Sequence, residues 1–220
     1  MDKDRPRSVL LPALSTQPEL IDGDFFWEAH WKKIAAALIA VVVGILAVGA
    51  WAYHRANEAS SAAALYATAD KPGVWQEVVV KYPDSVSAGN AQLRIASSLR
   101  AEGKTDEALV ELERFTSAQP DHPMAGAAWL ALGEIRQSQG KKPDALEAYR
   151  VASGRHQSSY AAPLALLAEA RLLASEGKGG ESKAILESIG SSYPDGPAAM
   201  VAAAELAAFS RSATPAAQGQ

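Results

Sequence analysis

The side chains that could do chemistry are few and scattered. Four histidines, His30, His54, His122 and His156, lie far apart with no carboxylate at ligand spacing. No His-Glu-x-x-His helix, phosphate-binding loop or dinucleotide glycine fingerprint occurs. The absence of cysteine removes disulfides, thiolate metal ligands and cysteine nucleophiles together. Two Ser-x-x-Lys pairs remain, Ser138 with Lys141 and Ser175 with Lys178, at the spacing that sets a lysine beside a nucleophilic serine in penicillin-binding proteins. Each pair straddles a glycine, both occupy one repeat position, and the preceding copy has Ala101 where the serine would stand. A repeated turn accounts for them better than catalysis. The expectation is no catalytic residue, no metal ligand set and no cofactor, with the scattered Asp and Glu on solvated helix faces.

The turn belongs to a longer pattern. Tyr82-Pro83-Asp84, Gln119-Pro120-Asp121 and Tyr193-Pro194-Asp195 recur at a step of 37 residues or its double, with Gln157 where the intervening proline would fall. Gly103, Gly140 and Gly177 keep the same step, as do Leu93, Leu130 and Leu167, and Ala88, Ala125, Ala162 and Ala199. Such periodicity is the mark of an array in which each unit buries its apolar face against its neighbours. Each unit reads as two helices. The first covers 87–102, 124–139 and 161–176, each closed by a glycine in the left-handed conformation. The second covers 106–118, 143–153 and 181–191. Thr105 is expected as an N-cap before Asp106 and Glu107, and Pro143 in a first turn, where its missing N–H is harmless. Residues 72–81 should pair with a helix at 55–69, and 197–210 should cap the array.

The central copy resembles the tetratricopeptide repeat, with three extra residues between units: Trp129, Leu132, Gly133, Gly140, Ala145, Tyr149 and Ala152 stand at that signature's spacing. The small residues let paired helices approach, and Trp129 reads as a core residue between them. The first copy is weaker, with Ile95, Ala96, Leu99, Gly103, Ala108 and Leu112. The third keeps Leu166, Ala170, Leu173 and Gly177, and reads as carrying two extra glycines, Gly179 and Gly180, before Ala184 and Ile185.

Ahead of the repeats, residues 34–53 hold no charge. Twenty residues at 1.5 Å each give roughly 30 Å of helix, enough to cross a hydrocarbon core. Phe25, Phe26, Trp27 and Trp31 lie before the run, and Trp51 and Tyr53 close it, as interfacial aromatic belts do. His30 and His54 flank it. Lys3, Arg5, Arg7, Lys32 and Lys33 precede the span, against Arg55 and Lys71 shortly after it, which predicts a cytoplasmic N-terminus. A cleaved signal peptide competes with this reading. The leader is longer than a normal n-region, however, and the apolar run exceeds a typical h-region.

The expected fold is all-α: a single N-terminal transmembrane helix followed by a tetratricopeptide-like α-solenoid. The expected segments are a disordered cytoplasmic leader at 1–23, an anchor at 24–54, the repeats at 55–210 and a disordered tail at 211–220. The formal net charge is −4 and no long basic run occurs, so nucleic acid is not an expected partner, nor is a small-molecule substrate. The repeat alignment places Asn90, Ser97, Arg100, Glu134, Gln137, Arg171 and Ser175 on the face made by the first helix of each pair. There they could hydrogen-bond an extended chain of a protein partner.

The layout also resembles a bacterial family, the YfgM-like ancillary subunits of the Sec translocon. The likeness runs from about Asp24 to Phe209 and rests on Phe25-Phe26-Trp27, Lys32-Lys33, the span and the Tyr-Pro-Asp punctuation. The resemblance implies an inner-membrane protein with a periplasmic repeat domain that holds emerging chains or recruits chaperones beside translocon subunits. An envelope-assembly scaffold for cell wall, division or outer-membrane biogenesis would need the same anchored solenoid, so it stands as the alternative.

Overall fold

The computed structural model describes residues 23–213, with side chains for residues 30–211, and every regular element in that range is helical. The leader and the tail beyond Ala213, with Phe25, Phe26 and Trp27 as side chains, lie outside this description. The elements are α1 (Gly23–Ala67), α2 (Pro72–Lys81), α3 (Val86–Ala101), α4 (Thr105–Ala118), α5 (Ala125–Ser138), α6 (Lys142–Gly154), α7 (Ala161–Ser175), α8 (Gly179–Ser192) and α9 (Pro197–Ala213). The chain divides into two units, Met1–Tyr53 and His54–Gln220.

In the first unit, the stretch of α1 from residue 36 to 53 is apolar on all sides and exposed among the described residues. Ile39, Ile45 and Leu46 are 64%, 66% and 66% exposed. A helix in water keeps a polar face; one that is hydrophobic all round needs a core or a bilayer. Among the described residues none buries this stretch, and the helix is long and apolar enough to cross a membrane.

In the second unit the helices pack in sequence, each against the next. The last turns of α1 contribute Leu65 and Tyr66 to a cluster around Val78, Ala88 and Ala91, together with Trp75 and Val79. The Trp75 indole N–H donates to the Ala69 carbonyl at 3.1 Å, fixing the turn into α2. The remaining cores each span a repeat boundary. One joins Ala96, Leu112 and Phe115 to Leu132, Ile135 and Ala148. The next gathers Tyr149, Ala152, Leu172 and Leu173, and the last joins Leu186 and Ile189 to Ala198 and Ala202. Trp129 is half-buried and packs against the first two of these clusters, so it ties one repeat to the next.

The turn between paired helices is identical in all three repeats. Gly103, Gly140 and Gly177 have φ of +77°, +76° and +78°. Each glycine N–H bonds the carbonyl three residues back, to Arg100, Gln137 and Ala174. The following lysine N–H reaches five back, to Leu99, Arg136 and Leu173, at 2.8, 2.9 and 3.0 Å. This pair of bonds is the Schellman closure. A methyl group at Gly140 would meet nothing within 4 Å, so the backbone alone resists substitution. Gly140→Ala is expected to destabilise the protein by about 1 kcal/mol, the penalty for an L-residue in the left-handed region. Urea unfolding of the full-length protein in nanodiscs measures it.

Two local expectations are corrected. Thr105 is the first residue of α4 and not its N-cap; Lys104 holds that place without a side-chain bond. The chain leaves the Schellman turn directly into the helix, with the Lys104 carbonyl already accepting from the Ala108 N–H at 3.0 Å. Nor are Gly179 and Gly180 an insertion. The second helices begin at Thr105, Lys142 and Gly179, so the 37-residue step is unbroken and Ser182 occupies the buried position of Ala108 and Ala145. The price is a hydroxyl that finds no hydrogen-bond partner. Ser182→Ala is therefore expected to stabilise the array by about 1 kcal/mol, read from the same urea titration.

Candidate docking surface on the repeat array

Helix α7 packs directly against α5 and α9 as well as against its sequence neighbours. The first helices α5, α7 and α9 thus approach one another, and six of the seven residues expected on the first helices are exposed, Asn90 being half-buried. Five of the seven are engaged within the fold. The Arg100 guanidinium on α3 meets the Glu134 carboxylate on α5 at 3.1 Å. Arg171 on α7 meets Glu205 on α9 at 2.6 Å. Gln137 accepts a hydrogen bond from the Tyr149 hydroxyl at 2.7 Å. The Ser175 hydroxyl donates to its own helix, to the Leu172 carbonyl at 2.7 Å.

Ser138 behaves as Ser175 does, donating to the Ile135 carbonyl at 2.7 Å. Lys178 turns to Glu176 at 3.0 Å rather than to a serine. The Ser-x-x-Lys pairs are thus helix-end geometry. Among the described residues no three His, Asp or Glu side chains gather as a metal could require.

Sequence reasoning missed Glu205 as the partner of Arg171. A signal existed, since Glu134 follows Arg100 by 34 residues and Glu205 follows Arg171 by the same number. It also missed His122, which is buried and joins two repeats. Its Nε2 lies 3.0 Å from the Val86 carbonyl and its Nδ1 accepts from the Met124 N–H at 3.0 Å, so Nε2 carries the proton. The ring stands edge-on to Phe115, with centroids 5.1 Å apart. Beside it, the Gln119 amide donates to the Pro83 carbonyl at 2.9 Å, a link that the Tyr193 hydroxyl repeats to the Gln157 carbonyl at 3.1 Å. The Tyr-Pro-Asp punctuation therefore marks inter-repeat clasps as well as chain breaks.

Under this face Tyr149 is 1% exposed, and burial first, then the Glu134 charge, push its phenol up to about 12. The folded state thus holds the phenolic proton more tightly than the unfolded chain, whose ordinary value is about 10. The contribution is complete below pH ~10 and is lost as pH rises through ~12, amounting to about 3 kcal/mol. Tyr149→Phe should flatten the fall in stability over that window, as urea midpoints taken at successive pH values would record.

These features define an α-solenoid of paired helices whose first helices share one face, the architecture of an interaction scaffold. The sequence pattern of the tetratricopeptide repeat-like domain matches residues 25–146, more than half of the chain, and the chain belongs to that family. Among solved structures it is similar to the TPR-like repeats of a kinesin light chain from Podosopora anserina, at 18% identity and a TM-score of 0.50 over 70% of this chain and 84% of that one. The Q17M variant of those repeats superposes with a TM-score of 0.51 at the same identity and coverage. This likeness concerns the fold alone. No curated protein matches the chain.

Proposed function

We propose that the chain is a single-pass membrane-anchored docking module, without catalysis of its own, that assists protein export beside the Sec translocon. Residues 34–53 cross the bacterial inner membrane, the leader at 1–23 stays in the cytoplasm, and the repeats at 55–210 work in the periplasm. The observation that carries the anchor is the unbroken exposure of residues 36–60, apolar for most of that length. The basic residues before the span support the orientation. Asn90, Ser97, Arg100, Glu134, Gln137, Arg171 and Ser175 line the face that receives emerging chains or chaperone segments. Tethering raises the local concentration of this face near membrane-bound partners, so weak contacts give useful occupancy. The YfgM-like layout supports the assignment to the export channel.

The test is mild crosslinking in native membranes, purification of the full-length protein and mass spectrometry of what accompanies it. Enrichment of translocon subunits and exported chaperones is expected. Recovery of wall-synthesis, division or outer-membrane assembly proteins without the translocon would overturn the export role in favour of an envelope-assembly scaffold.

A further inference from the structure

Ser85, His122 and Ser159 succeed one another at the 37-residue step, each just ahead of a first helix. All three side chains accept a backbone N–H at the helix entrance. The Ser85 hydroxyl accepts from Ala88 at 3.0 Å, His122 Nδ1 from Met124 at 3.0 Å, and the Ser159 hydroxyl from Ala161 at 3.2 Å. A hydroxyl accepts at any pH near neutrality. An imidazole nitrogen accepts only while it is unprotonated, so the middle entrance alone carries a proton-binding group.

The ring sits in the joint between the first and second repeats. Its Nε2–H donates to the Val86 carbonyl at 3.0 Å, at the start of α3, and it stands edge-on to Phe115 of α4. It also lies against Gly89, where a methyl group would come within 2.6 Å of Cδ2 and Nε2. A proton on Nδ1 would set a donor against the Met124 N–H, and a ring packed against Gly89 and Phe115 is not free to turn away. The imidazolium would also lie near the positive ends of both α3 and α5.

Among the described residues, the charges on the elements packed around the ring are engaged elsewhere or lie in water. Helix α3 carries no charge before Arg94, whose guanidinium lies over Trp75, and α5 none before Glu134, which Arg100 engages. On α4, Glu111 and Glu113 are held by Arg114 at 3.6 Å and Arg136 at 3.0 Å. Asp84 and Asp121, in the turns ahead of α3 and α5, are exposed and screened by solvent.

We infer that the joint between the first two repeats is proton-sensitive: it closes on a neutral His122 and loosens when the imidazole takes up a proton, while the next joint, closed by Ser159, does not respond. Opening frees Nδ1 to bind a proton, so mild acid favours the open joint once pH falls below the free histidine value of ~6.5. Arg100 on α3 and Glu134 on α5 meet across this joint, so the array parts there first. The inference does not depend on which partner the repeats receive.

Hydrogen–deuterium exchange of the full-length protein in nanodiscs tests it, with residues 159–163 as the internal reference. Protection factors, which remove the intrinsic effect of pH on exchange, are compared at pH ~7.5 and pH ~5.5. Protection at 122–126 should fall about tenfold relative to 159–163, the ratio set by one unit below the free histidine value. His122→Asn keeps an acceptor near the Met124 N–H but binds no proton, so its two segments should stay in step at both pH values. An equal fall at both wild-type segments, or no fall at either, would overturn the inference. So would a fall at 122–126 that persists in His122→Asn. If the asparagine variant does not fold, the comparison of the two wild-type segments decides alone.

Discussion

Arginine at both Val43 and Leu46 is expected to move the protein out of the carbonate-resistant membrane fraction. Each arginine near the middle of a span costs about 2.5–3.5 kcal/mol of apparent insertion free energy, so the pair costs about 6 kcal/mol. That exceeds the margin of an Ala-rich segment whose apolar gain comes largely from Ile39, Val41, Val42, Val43, Ile45 and Leu46. Serine at the same two positions should leave most of the protein in the pellet, because a hydroxyl on a helix can bond a carbonyl of its own turn. Retention of the arginine variant would mean that something other than residues 34–53 holds the protein at the membrane.

The second large effect lies where α5 meets α6. A methyl group on Gly133 would sit 2.3 Å from Tyr149 Cε1 and 2.5 Å from Cδ1, distances that real contacts do not show. The ring cannot retreat freely, because its hydroxyl is held at 2.7 Å by Gln137. Tyr149→Ala should destabilise by about 4 kcal/mol, as truncation of a buried aromatic does. Gly133→Ala should destabilise by about 2 kcal/mol through overpacking. In the Tyr149→Ala background the clash is gone, and Gly133→Ala should instead stabilise by about 1 kcal/mol through helix propensity. Urea unfolding followed by tryptophan fluorescence would give all four corners of the cycle. Additive effects would show that the two helices do not pack through this pair.

Much of the architecture was legible because repetition multiplies weak signals. A single Gly-Lys step says little, but three at one spacing predicted three helix ends, and each has a positive φ and the same two hydrogen bonds. The tetratricopeptide pattern around Trp129 and Tyr149 was equally readable, since small residues opposite large ones leave a trace in sequence. What repetition implies, it also hides. Glu169 occupies the repeat position of Leu132 and is buried, which no apolar pattern anticipates; the Arg150 guanidinium meets it at 2.7 Å from the neighbouring helix. Ser182 deceived the alignment in the opposite direction, because a serine in an alanine position suggested an insertion.

The exposure of the residues on the first helices was legible, but their pairing was not. Alignment at 37 residues selects equivalent positions on one helix face, whereas side chains that join successive first helices do so at 34. Arg100 with Glu134 therefore looked like two free polar groups, and Glu205 was not considered beside Arg171.

Site-specific photocrosslinking in native membranes tests the central claim most directly. A photoreactive phenylalanine would be placed at Ser97 and Ser175 on the shared face, and at Glu147 and Glu187 on the exposed sides of the second helices. Polypeptide adducts at Ser97 and Ser175, with none at Glu147 and Glu187, is the predicted result. Adducts only from the second helices, or equally from both faces, would contradict a docking surface built by the first helices.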